Sequence, residues 1–109
     1  MPCDPPRGLV WGEVHDPSAW SLGGVAGLFG TARDLGMFGQ SFLSGGLLTQ
    51  STVAEMTHSQ VPKLARRGLG WELDETFYMG RLASPTTFGH TGFTGTSLVV
   101  APEHDLVVV

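Results

Sequence analysis

The residues best equipped for chemistry lie in one run, "FGHTGFTGTSLVV", residues 88 to 100. His90 is a titratable ring, Thr91 carries a hydroxyl, and Gly89 and Gly92 leave the backbone beside them uncovered. In an extended strand His90 and Gly92 project to one side and Thr91 to the other. Glycines in a strand mark a bulge or a close approach by a ligand or another backbone. Such an edge can offer N–H donors to a developing oxyanion while a histidine or threonine handles a carboxylate or a proton. The same spacing also describes an ordinary glycine-softened turn with a surface histidine. Spacing leaves both readings open.

No other constellation is as suggestive. The remaining histidines, His15, His58 and His104, form neither an H-x-x-x-H nor an H-E-x-x-H pair. Cys3 is the only cysteine, so a thiolate zinc site and an internal disulfide are both excluded, and neither a metal nor a cofactor is expected. His15-Asp16 and His104-Asp105 pair a ring with an acid, but the second lies in a predicted turn, where aspartate is expected for turn reasons alone. "GGVAGLFG" lacks the Lys-Ser/Thr ending of a phosphate-binding loop and follows no predicted strand. Trp11, Trp20 and Trp71 read as packing residues.

These residues need elements to position them. Residues 1 to 22, rich in proline and tryptophan, show no sustained period and read as irregular. "LGGVAGLFG" leads to a helix with Thr31 as N-cap and Asp34 completing an approximate capping box. Leu35, Phe38 and Phe42 recur at helical spacing, and Gly45-Gly46 ends the helix. Gly36 and Gly39 each cost it roughly 1 kcal/mol relative to alanine, so burial of the Leu-Phe-Phe face must hold it. A shorter helix is predicted at about 51 to 57, capped by Ser51 or Thr52, with Val53 and Met56 inward. From Gly68 the pattern turns to strands: "LGWEL" (69 to 73), "TFYMGRL" (76 to 82) as its partner, a loop at 84 to 87, then "TSLVV" and "DLVVV" as an antiparallel hairpin around "APEH". Helices followed by a run of strands predict an α+β class with an antiparallel sheet.

At 109 residues the chain suffices for one domain. Its net charge of −4 and scattered basic residues, with only Arg66-Arg67 adjacent, argue against nucleic acid as a partner. No apolar run approaches the roughly 20 residues of a membrane span. The start, "MPCDPPRG", has no apolar h-region and does not read as a signal peptide, which leaves the compartment open.

Four segments in order, "LGGVAGLFGTARDLGMFGQ", "STVAEMT", "RGLGWEL" and "FGHTGFTGTSLVVAPEHDLVVV", resemble the serine β-lactamase-like family. That family comprises class C β-lactamases, low-molecular-mass penicillin-binding proteins and related esterases. The resemblance runs from about Gly8 and is most specific in the last block. It implies a β-lactamase/transpeptidase-like fold in which three motifs meet in one cleft: S-x-x-K with the nucleophile and its lysine base, Y-x-N with a proton-transfer tyrosine, and K-T-G or H-T-G on the bordering strand. His90-Thr91-Gly92 is similar to the third. By that resemblance His90 stands for the motif's cationic residue and orients or protonates groups in the cleft. Thr91 hydrogen-bonds a substrate carboxylate, Gly92 keeps the strand close to the site, and the Phe93 backbone N–H forms half of the oxyanion hole. The glycines then read as clearance for a substrate.

The first two motifs are not in this chain. Lys63 is the only lysine and Gln60 stands three residues before it; Tyr78 is followed by Met79-Gly80, and there is no asparagine. "GGVAGLFGTA" also looks a few residues shorter than the usual form. Residues 1–109 therefore read as the C-terminal portion of one β-lactamase-like domain, about 8–67 helical and 68–109 strand-forming. The expected partners are a small-molecule or peptide substrate (a β-lactam, a D-Ala-D-Ala peptide or a small ester) and the remainder of the same domain. Without a nucleophile no acyl-enzyme is expected from this chain alone. A non-catalytic ligand- or protein-binding module built on the same fold is the alternative, and a truncated product that does not fold stably is a third.

Overall fold

A computed structural model describes residues 11–14 and 26–109. The chain divides into two compact units, Met1–Thr31 and Ala32–Val109. In the first, the described residues form no helix or strand, and the Val14 side chain lies against Gly27. Trp20 and the upstream part of the glycine-rich approach fall outside the described residues. Trp11 is 98% exposed, so the packing role expected for it is not what the fold uses.

The second unit contains every described α-helix and strand: α1 (Ala32–Ser44), α2 (Gln50–Met56), β1 (Glu72–Leu73), α3 (Thr76–Met79), β2 (Phe88–Thr91), β3 (Ser97–Ala101) and β4 (Leu106–Val108). The strands form one antiparallel sheet in the order β1-β2-β3-β4, each pairing with its neighbour in sequence. The fold is α+β, as the order of periodicities predicts.

Helix α1 starts directly after Thr31 and stops where Gly45 and Gly46 adopt φ of 78° and 107°, values costly for any residue with a Cβ. Phe42 is buried and Leu35 packs against the core, so the predicted face is the one used. The core under that face is aromatic. Phe42 meets Trp71 and Phe88 edge-on with centroids 5.1 and 5.8 Å apart, and Trp71 meets Phe88 at 5.1 Å. T-shaped pairs of this kind add to their area burial because a positive ring edge meets a negative face. Leu73, Leu98 and Val100 complete the cluster. A Cβ on Gly39 would stand 2.6 Å from Val107 Cγ1, 3.2 Å from Leu98 Cδ1 and 3.3 Å from Val100 Cγ2. The glycine that weakens the isolated helix thus lets its axis come down onto the sheet.

Two local expectations are corrected. Thr49, one turn ahead of the predicted caps, caps α2: its Oγ1 accepts from the Thr52 N–H at 3.2 Å. "TFYMGRL" is not a strand but α3 followed by a 3-10 turn, Gly80–Leu82. Its aromatic and β-branched residues have strand propensity, but the segment instead buries Met79 and turns sharply at Gly80, φ 58°. The strand that pairs with β1 is therefore β2, with Glu72 opposite Gly89 and Leu73 opposite Phe88.

Candidate functional site

Register fixes which side of the sheet each H-T-G residue faces. β2 pairs with β3 as Phe88↔Val100, Gly89↔Val99, His90↔Leu98 and Thr91↔Ser97. Alternation puts Phe88 and His90 on the face covered by α1 and puts Gly89 and Thr91 on the other. Phe88 is buried in the core, whereas His90, past the end of β1, is exposed. Strand β2 ends at Thr91, so Gly92 and Phe93 open the loop to β3. The Gly92 N–H donates to Thr96 O at 2.7 Å and the Gly95 N–H to Gly92 O at 3.0 Å, closing a tight hairpin loop. The Phe93 ring is 70% exposed at its tip.

The space beside the two glycines is filled by the chain itself. A Cβ on Gly89 would overlap the Leu98 carbonyl oxygen and stand 3.1 Å from Tyr78 Oη. One on Gly92 would overlap Thr96 Oγ1. At these two positions strand pairing and loop closure leave no room for a side chain.

Around the H-T-G end lies a polar cluster that motif spacing did not reveal. Arg67 pairs across an isolated bridge with Glu72, and its Nη2 lies 2.8 Å from Glu72 Oε1. Glu72 is buried, a position an acid occupies only with a partner. Arg67 Nη1 is 3.5 Å from His90 Nε2, and His90 Nδ1 is 2.7 Å from the Thr91 carbonyl oxygen. On the other face of β2, the Tyr78 hydroxyl is buried with no hydrogen-bond partner among the described residues. Burial pushes the Tyr78 phenol well above its ordinary range. The Glu72 carboxylate adds to this, close enough to repel a phenolate although outside hydrogen-bond geometry. Arg67 lies 23 residues before His90, and its bridge to Glu72 together with the pairing of β1 with β2 brings the two side chains together.

Elsewhere a shallow depression of about 410 Å³ is lined by residues including His58, Arg66 and Asp74, with Arg66 and Asp74 3.4 Å apart. Among the described residues no group of three His, Cys, Asp or Glu side chains could hold a metal ion. None of their helices is long and apolar enough to cross a membrane. His104 lies in the 3-10 turn between β3 and β4, and Asp105 follows with φ 48°. That left-handed conformation, which aspartate tolerates better than most residues, accounts for Asp105 at the turn.

Comparison with known proteins identifies the family. A family model described as Beta-lactamase matches residues 2–109, and the chain belongs to that family. Candidate D-alanyl-D-alanine carboxypeptidases of Salmonella paratyphi B, Salmonella newport and Salmonella heidelberg are each 41% identical to it over 114 residues. The match covers 92% of this chain and 26% of each relative, so the chain spans about a quarter of their length. No solved structure matches significantly.

Proposed function

We propose that residues 1–109 are the C-terminal, substrate-binding portion of a serine hydrolase domain that works by acyl transfer. The observation that carries this reading is the H-T-G sequence ending strand β2 in a chain that belongs to the β-lactamase family. Thr91 is assigned to hydrogen-bond a substrate carboxylate, and Gly92 to keep the strand close to the cleft. The Phe93 backbone N–H is assigned to the oxyanion, and His90 to orient groups beside it. The rest of the domain is the partner that supplies the serine and its lysine base, and the substrate is a β-lactam, a D-Ala-D-Ala peptide or a small ester. The names of the Salmonella relatives favour the peptide.

Covalent labelling tests this directly. A fluorescent penicillin or fluorophosphonate should leave the 109-residue chain unlabelled after denaturing electrophoresis. It should label a product whose upstream frame encodes S-x-x-K and Y-x-N, and Thr91→Val in that product should slow labelling about 10-fold or more, the scale of one lost substrate hydrogen bond. Label on the short chain, or no effect of Thr91→Val, would overturn the assignment. The absence of S-x-x-K from this chain keeps a non-catalytic binding module as the second reading. Ligand affinity that survives in the short chain and falls in His90→Ala would favour it.

A further inference from the structure

We infer that Arg67 is the positioning residue of His90, fixing the imidazole in its Nδ1–H tautomer with Nε2 turned toward the guanidinium. Two independent contacts demand the same tautomer. A carbonyl oxygen only accepts, so the 2.7 Å contact between His90 Nδ1 and Thr91 O places the proton on Nδ1. A guanidinium only donates, so the Arg67 Nη1 contact with Nε2, long at 3.5 Å, requires a lone pair on Nε2. Arg67 is itself held. Its other terminal nitrogen is pinned 2.8 Å from the buried Glu72 carboxylate, and the Arg67↔Glu72 bridge fixes its backbone. A forked, planar group can satisfy Glu72 with one edge and face His90 with the other; a lysine point charge cannot do both.

The ring at the end of β2 therefore has one nitrogen donating along its own strand and the other accepting from Arg67. The charge beside it belongs to the Arg67–Glu72 pair. The bearing of this on substrate rests on the reading of the β2 end proposed above. The tautomer does not, so a failed labelling experiment and a failed tautomer measurement are distinguishable.

The experiment is long-range 1H–15N correlation of the histidine rings in the intact chain, about two pH units above the ordinary histidine value of roughly 6.5 so that a free ring is neutral. His90 should show a protonated, pyrrole-type Nδ1 and a pyridine-type Nε2. In Arg67→Met the His90 nitrogens should move toward the averaged values of two exchanging tautomers, with backbone amide dispersion retained. A pyrrole-type Nε2 in the unmodified chain overturns the proposal, as does a His90 signature unchanged in Arg67→Met. Should Arg67→Met fail to fold, Arg67→Lys gives the same readout, since lysine keeps the charge for Glu72 but loses the second edge.

Discussion

Helix α1 carries two glycines one turn apart, and replacing each by alanine separates intrinsic helix propensity from packing. Alanine gains about 0.8–1.0 kcal/mol over glycine at either position. At Gly36 nothing lies within 4 Å of the added Cβ, so that gain should appear in full. It should raise the midpoint of thermal unfolding by roughly 4–8 °C for a domain of this size. At Gly39 the methyl meets Val107, Leu98 and Val100 at 2.6–3.3 Å. Leu98 is buried, Val100 is 0% exposed, and the valines are stiff at χ1, so the neighbours have little room to give. Overpacking of this kind costs about 1–3 kcal/mol, which leaves Gly39→Ala between neutral and about 2 kcal/mol destabilised. Because the propensity term is common to both, the difference between the two variants isolates the packing term. Urea unfolding followed by far-ultraviolet circular dichroism measures it. If both variants shift the midpoint upward by the same amount, the close approach of α1 to the sheet carries no energetic weight and the argument for Gly39 fails.

Tyr78, the only tyrosine, gives a clean alkaline titration. Its folded pKa is raised above the ordinary value of 10.0, so its contribution to stability is intact below about pH 10 and is lost as pH climbs further. Tyrosinate absorbance should stay absent in the folded chain past pH 10 and emerge only together with loss of the dichroism signal; a rise centred near 10 with the fold intact would contradict the burial assigned to its hydroxyl. Thr87 is 1% exposed and donates its hydroxyl to Leu82 O at 2.6 Å, which ties the 3-10 turn to the start of β2. Thr87→Val keeps the shape but strands that carbonyl, and should cost about 1–3 kcal/mol in the same urea assay. A cost under about 0.5 kcal/mol would mean the turn is held by other contacts.

The elements legible in the sequence are those whose signal is local. The hairpin of β3 and β4 announces itself through runs of β-branched residues around Pro102, and α1 through Leu35, Phe38 and Phe42 at helical spacing. Residues 76 to 82 mislead because Thr76, Phe77 and Tyr78 have strand propensity, while the outcome is set by burial of Met79 and the turn at Gly80. The H-T-G run stands out by resemblance, but its polar surroundings do not. Arg67 lies 23 residues before His90, and no spacing rule links positions that meet through sheet pairing. The pair Arg66-Arg67 reads as scattered surface charge, yet the two arginines face different acids, Asp74 and Glu72.

The two-residue alternation along β2 has a consequence for how such a strand can diverge. Phe88 answers to the aromatic core, Gly89 to the neighbouring strand and Tyr78, and His90 and Thr91 to the polar contacts at the sheet end. Four adjacent positions thus stand under three separate constraints. Phe88 and Gly89 are packed on their two faces independently of the side chains at positions 90 and 91, so substitutions at the last two leave the core contacts of the first two in place. One short strand thus passes from positions fixed by apolar packing to positions whose contacts are polar.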